Sequence, residues 1–222
     1  MSGGTRSGGL WLAVASLAML AGSGSAADIE TRDFAVLVSG KTAGEVHMTI
    51  QKQESGAVSV RCDTDIKVVV PLVSYKYSFR GSETWKDRRL VRLDSNTDDN
   101  AKRFHVSAVA AADGLKVKAN NVERTIKSEA WTSTYWSLPD PKLRDGVLII
   151  LDADTGRDME AKLSYVGSEK HRVAGQEVTL NRFRVSGKVS VDLWYDGHER
   201  LVRQEWVEQG YKTTMILVRV RR

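Results

Sequence analysis

Asp98-Asp99-Asn100, followed by Arg103 and His105, brings two carboxylates, an amide, a guanidinium and an imidazole close together in the chain. Such a set suits general acid–base work, with His105, set between Phe104 and Val106, as the candidate base. The competing explanation is a tight turn, because Asp and Asn tolerate left-handed backbone and bond their own main chain. A second acidic run, Asp152-Ala153-Asp154-Thr155-Gly156-Arg157-Asp158, has the outline of a calcium loop. A calcium-binding helix–loop–helix needs glycine sixth and glutamate twelfth. Here Gly156 is fifth and Leu163 twelfth, so the run reads as an acidic hairpin turn. His47, His105, His171 and His198 lie far apart and none has zinc-site spacing. No metal or cofactor is expected, and no residue is assigned a catalytic role.

Aromatic residues offer a different chemistry, the burial of an apolar ligand. Tyr75, Tyr77, Trp85, Trp131, Tyr135, Trp136 and Trp194 are the candidate ligand-binding residues, with Phe79 and Trp206 nearby in the pattern. If the strands that carry them curl, those on the concave face line an apolar trough with a few polar groups. A filled core between sheet and lid explains the same residues, since aromatics bury much area. Both readings hold together without conflict.

The elements that position these residues are strands. Val46, Met48 and Ile50 alternate with His47, Thr49 and Gln51. Val58, Val60, Cys62, Thr64, Ile66 and Val68 alternate with Ser59, Arg61, Asp63, Asp65 and Lys67. That is the mark of a sheet with one wet face. Turn pairs such as Asp113-Gly114, Asn120-Asn121, Ala174-Gly175, Ser186-Gly187 and Asp196-Gly197 separate the runs. Roughly eleven strands are expected, too many for a flat sheet. The best helical candidate is short, over Ser128–Ser137, before the Pro139 and Pro141 crossover. The expected fold is mainly β: a large curved antiparallel sheet, a half-barrel or β-clam, with a short helical, proline-rich crossover. No linker or repeat divides it, so residues 28–222 are expected to form one domain. A membrane barrel would carry an apolar outer face, whereas this second face is charged.

Composition narrows the class further. With 41% hydrophobic and 27% charged residues, 3 prolines and 1 cysteine, the chain is neither a disulfide scaffold nor a disordered tail. Residues 1–27 read as a secretory signal peptide: Arg6, the apolar run Leu10–Ala21, then small residues up to Ala26-Ala27. Twelve apolar residues fall short of the roughly 20 that span a bilayer. The mature chain shows no second long apolar run and is expected to be periplasmic or secreted. Removing the leader takes only Arg6, so the net charge of +5 becomes +4, spread along the chain. Such mild charge does not suggest nucleic acid as a partner. Cys62, on the apolar side of its strand, is expected to be buried and inert.

Several segments together resemble a family of secreted bacterial proteins of unknown function. They are Phe34-x-Val36-x-Val38-x-Gly40-Lys41-x-x-Gly44, Val73-x-Tyr75-x-Tyr77, Glu83-x-Trp85, Ser95-Asn96-Thr97-Asp98-Asp99-Asn100, Tyr135-Trp136 and Asp192-Leu193-Trp194-Tyr195. The resemblance implies an exported domain whose curved sheet is similar in shape to LolA/LolB-like lipoprotein carriers. It brings no catalytic residues. Three functions follow as expectations: a non-enzymatic binder of an apolar or lipid-like ligand, a structural or assembly partner of an envelope protein, and an enzyme using Asp98, Asp99 and His105.

Overall fold

A computed structural model of the chain describes Met1 and residues 28–70, 73–144, 146–173, 176–208 and 210–222. The leader expected over residues 1–27 lies, Met1 apart, outside them, as do Pro71 and the Ala174-Gly175 turn.

Among the described residues, alternation produces a single 15-stranded sheet. The first eight strands are β1 (Asp28–Val38), β2 (Lys41–Lys52), β3 (Val58–Val70), β4 (Val73–Lys86), β5 (Arg89–Asp99), β6 (Lys102–Ala111), β7 (Gly114–Ala119) and β8 (Val122–Ile126). Then follow β9 (Trp131–Thr132), β10 (Val147–Leu151), β11 (Asp158–Val173), β12 (Gln176–Gly187), β13 (Val191–Tyr195), β14 (Leu201–Glu208) and β15 (Tyr211–Arg221). Across the sheet the order is β8-β7-β6-β5-β4-β3-β2-β1-β15-β14-β13-β12-β11-β10-β9. Neighbours are antiparallel except β9 and β10, which run parallel. Fifteen strands exceed the expected eleven, and one of the additions is the two-residue β9, inside the segment expected to be helical. No helix among the described residues is long and apolar enough to cross a membrane.

The pleat sends alternate side chains to one shared interior. One row runs Arg32, Met48, Cys62, Gly81, Ser95, Val106 across six strands. The opposite face carries ion pairs such as Arg61–Asp63, Arg80–Asp65 and Arg92–Asp94. Cys62 is buried with the interior set, and burial pushes its thiol up to about 12.

Chain connectivity bends this sheet. β8 and β9 are its two outermost strands, yet only residues 127–130 join them. Flat, fifteen strands would place those edges roughly 65 Å apart. Four linking residues reach at most about 18 Å. The sheet therefore curls until its edges approach. Among the described residues no ladder closes the seam; side chains of β5 and β8 reach the β10–β11 turn instead. Ser95 Oγ donates to the Ala153 carbonyl at 2.6 Å and Thr97 Oγ1 to the Asp154 carbonyl at 3.0 Å. Arg124 on β8 donates to Asp158 at 2.8 Å and to the Gly156 carbonyl.

The helical stretch lies at Pro141–Leu143, a 3-10 turn capped by Asp140 Oδ1 accepting from the Lys142 amide at 2.9 Å. Proline at a first helical position loses no bond, so Pro141 starts this turn instead of stopping one. Residues 128–137, expected to be helical, hold β9 and turns. Their run of Trp, Thr and Tyr has modest helix propensity, and their main chain is bonded by barrel groups described below.

Close strand approach fixes one glycine. A Cβ on Gly44 would sit 2.1 Å from the Asp65 carbonyl oxygen and 2.7 Å from Ile66 Cα, both backbone. Gly44→Ala is expected to destabilise the domain by about 3 kcal/mol in chemical denaturation, as overpacked sites do. Gly146→Ala, where a Cβ meets nothing within 4 Å, should change stability by less than about 0.5 kcal/mol.

Candidate functional site

Residues 131–137 form a strap inside the curl, and the surrounding strands hold it residue by residue. Trp131 Nε1 donates to the Ser137 carbonyl at 3.0 Å, and its ring meets Tyr135 edge-on at 4.7 Å. The Ser133 amide donates to the Leu151 carbonyl at 3.0 Å. From β13, the Tyr195 hydroxyl donates to the Tyr135 carbonyl at 2.9 Å. From β1, Arg32 Nη1 donates to the Trp136 carbonyl at 2.7 Å. The Trp136 ring stands edge-on to Trp85 at 6.1 Å. Tyr135 itself takes φ +48, a left-handed backbone that a tyrosine keeps only when its surroundings impose it.

Two carboxylates, Glu83 buried and Asp154 half-buried, secure the inserted chain to the first half of the sheet. Glu83 on β4 accepts from Trp85 Nε1 at 2.7 Å, Thr134 Oγ1 at 2.9 Å and Thr132 Oγ1 at 3.2 Å. Burial raises its carboxyl to about 7 against the pull of those three donors. Asp154, in the turn between β10 and β11, accepts from the Tyr77 hydroxyl at 2.7 Å. Burial and the neighbouring Asp152 charge raise it to about 7 as well. The Asp152 carboxylate is occupied within the turn, accepting from Ser133 Oγ at 3.2 Å and Thr155 Oγ1 at 2.5 Å.

Where the strap leaves the curl, a cleft of about 570 Å³ opens beside it. Trp85, Trp131, Trp136, Leu138 and Pro139 supply its apolar surface, and its charge is mixed: Lys52, Arg32, Arg88, Arg200 and Arg222 stand with Asp28, Glu30, Asp87 and Glu199. Gly56, Asp87 and Glu199 come from the β2–β3, β4–β5 and β13–β14 turns, which places the cleft at that end of the barrel. Glu30 accepts from Arg32 at 2.7 Å and from Arg222 at 2.8 Å, with Arg200 at 3.5 Å. Burial alone would raise Glu30; the bonds from Arg32 and Arg222 and the charge of Arg200 outweigh it and hold the carboxyl below its ordinary range. Glu199 pairs with Arg88 and, at 2.8 Å, with Arg144; Asp196 pairs with Arg200 at 2.6 Å. Five guanidiniums therefore share three carboxylates, leaving N–H donors to spare.

Residues 34–218 match a described family, a domain of unknown function designated DUF6134. The chain belongs to the DUF6134 family. Among solved structures it is similar to a β-barrel-like protein of another domain of unknown function, DUF1849, from Brucella abortus. That likeness has a TM-score of 0.60 at 8% identity, over 86% of this chain and 95% of the other, and shows the fold alone. No curated protein matches the sequence. The expected uncharacterised family with a curved sheet is thus what the comparisons return.

In this DUF6134 domain six of the seven candidate aromatics sit on or against the interior. Trp85, Trp131 and Tyr135 are buried; Tyr75, Tyr77 and Trp136 are half-buried. Burial and the carboxylate of Asp99 push the Tyr75 hydroxyl up, and burial with Asp154 does the same for Tyr77. Trp194 is buried as well, but on the other side of its strand. It points to the outer face, opposite in phase to Leu193 and Tyr195, and lies between the guanidiniums of Arg182 and Arg203 at 5.0 and 5.3 Å. Its Nε1 donates to Glu169 at 3.3 Å.

The polar candidates divide between the faces. Asp98 and Asp99 end β5, not a turn, and successive strand residues point to opposite sides. Asp98 accepts from the Ala101 amide at 2.9 Å and from Arg103 at 3.4 Å. The turn itself is Asn100-Ala101, both with positive φ. His105 stands opposite Asn96 and its Nδ1 is 2.9 Å from the Asn96 side-chain oxygen, so it bonds neither aspartate. Glu30 and Arg32 escaped the sequence reading, while Glu83 entered it only through the family resemblance and Asp154 only as part of an acidic hairpin turn. Three of them carried a signal. Glu30 and Arg32 share the inward phase of Phe34 and Val36, and Glu83 that of Phe79 and Trp85, where a charge is out of place.

The raised carboxyls of Glu83 and Asp154 set a pH dependence. Stability they withhold when ionised is fully present below about pH 4 and is lost as pH rises through 7. Each carboxylate contributes on the order of 3 kcal/mol. Glu30 and Asp192, held below their ordinary range, act oppositely and lose stability in acid. Thermal melts should therefore peak near pH 5 and fall toward pH 8, and a Glu83→Gln, Asp154→Asn double variant should flatten that fall.

Proposed function

We propose that this domain is an exported, non-enzymatic binding protein that takes an apolar or lipid-like ligand with an anionic end. The observation that carries the reading is the cleft in which the indoles of Trp85, Trp131 and Trp136 meet Arg32, Arg88, Arg200 and Arg222. Indole faces bury a large apolar area at small conformational cost. Guanidinium forks match a carboxylate or phosphate in two parallel bonds. The strap occupies the interior, so a ligand enters at this end and does not lie along the whole concave face. The leader supports an address in the periplasm. His105, bonded to Asn96, and the opposed faces of Asp98 and Asp99 give an acid–base reading no shared centre.

A second reading, docking of an envelope protein, has one observation in its favour. Val69, Val207 and Tyr211 are exposed near the tips of the β3–β4 and β14–β15 hairpins, at the end away from the cleft.

The test is binding by the mature protein. Fatty-acid and lysophosphatidic-acid probes should quench its tryptophan fluorescence, and extraction of protein purified from the periplasm should yield a bound amphiphile by mass spectrometry. Arg88→Ala with Arg222→Ala should weaken the anionic probe about tenfold, equivalent to losing ~1.4 kcal/mol, while an uncharged alkyl probe is little affected. Absence of both quenching and an extracted ligand would refute the reading, and co-purification of an envelope protein in its place would favour the second.

A further inference from the structure

The strap is tied to the barrel through one carboxylate that has no cation beside it. Glu83 is 3% exposed, and among the described residues no Lys, Arg or His hydrogen-bonds or ion-pairs with it. The groups facing it are few. Trp85 shares its strand, Val60 lies opposite on β3 and Leu93 on β5, and Thr132 and Thr134 come from the strap. The titratable group that feels its charge is the buried thiol of Cys62, which stays protonated.

We infer that the 131–137 strap is a proton-controlled gate, seated while Glu83 carries a proton and released when Glu83 ionises. The hydrogen-bond geometry gives the protonated acid a closed circuit. Thr134 donates to Oε1 when the carboxyl is ionised. Once Oε1 carries the proton it becomes the donor across the same 2.9 Å, Thr134 turns to donate to Thr132 Oγ1 across 2.9 Å, and Thr132 donates to Oε2 across 3.2 Å. Every donor and acceptor in that ring is used, with Trp85 adding its N–H to Oε2. Loss of the proton breaks the circuit. Both hydroxyls must turn toward the carboxylate, the Thr132–Thr134 bond is given up, and a full negative charge stands in a dry site without a counter-ion. An unpaired buried charge is strongly unfavourable, and water reaches this one most readily if the strap leaves.

The strap has fewer ladder bonds than the strands around it, although Ser137 also bridges Arg200. β4 is laddered along its length to β3 and β5, whereas β9 pairs with β10 at only Trp131 and Thr132. The left-handed backbone of Tyr135 relaxes on release. Other charged groups touching the strap are Arg32 at the Trp136 carbonyl and Asp152 at Ser133. Asp154, whose carboxyl is also raised, bonds Tyr77 on β4 instead, so its ionisation loosens the 152–157 turn. Release would uncover the interior faces of Trp85 and Trp131. The gate stands whether or not the cleft takes a ligand.

Amide hydrogen exchange on the native chain, read by mass spectrometry at pH 5 and pH 8 and corrected for intrinsic rate, tests the gate. Protection of residues 131–137 should fall at least about tenfold at pH 8, within the limit of tenfold per pH unit that one proton allows. Protection in β1 and β2 should hold. Glu83→Gln should make strap protection independent of pH, and Asp154→Asn should leave the native dependence in place. Equal strap protection at both pH values, a loss spread evenly over the sheet, or a dependence that survives Glu83→Gln would overturn the inference. If Glu83→Gln does not fold, Asp154→Asn decides: abolition of the dependence in that variant assigns it elsewhere and overturns the gate.

Discussion

Four residues join the two outermost strands of a 15-stranded sheet, and that short tether governs the rest of the molecule. It excludes a flat sheet outright and brings edges that would stand far apart to within a few strand widths. An open barrel results, with β1 and β15, the two ends of the described domain, paired at its middle. The edges themselves, five and two residues long, form no ladder with each other. Ser95 and Thr97 of β5 and Arg124 of β8 instead bond main-chain carbonyls of the 152–157 turn.

Curling creates an interior, and its filling is unusual in being partly main chain. The strap brings carbonyls and hydroxyls into an apolar space, where each unpaired polar group is destabilising. The barrel answers with directed partners: Tyr195 and Arg32 donate to strap carbonyls and Glu83 accepts from the two threonine hydroxyls, while Trp131 donates to Ser137 within the strap. Polar groups buried in this way specify one position for the strap more sharply than apolar packing does, at the cost of placing carboxyls where ionisation is resisted. The same insertion shapes the cleft, because the strap leaves the curl beside Trp85 and carries Trp136 and Leu138 to the arginine-rich end.

Much of this architecture was legible in the residues. Period-two alternation announced the strands, the charged phase of β3 announced a wet outer face, and Cys62 fell inside as its neighbours required. What escaped was set by contacts distant in sequence. Trp194 looks like its apolar neighbours Leu193 and Tyr195, yet the pleat turns it outward, where two guanidiniums cover it. Asp98 and Asp99 look like a turn but close a strand, with the bend one residue later. Residues 128–137 suggest a helix when read alone, and only the surrounding donors explain why they do not form one. Glu83 was visible as a charge in an inward phase, but its partners lie 49 and 51 residues away.

The account turns on the Glu83–strap hydrogen bonds, and a double-mutant cycle measures them most directly. Stabilities of the native protein, Glu83→Gln, Thr134→Val and the double variant, taken at pH 5, give the coupling between the two side chains. Coupling of about 1 kcal/mol or more is expected for groups that share one buried network. Additivity to within about 0.3 kcal/mol would mean that the strap is held by packing alone, and would contradict the central role given to this carboxyl.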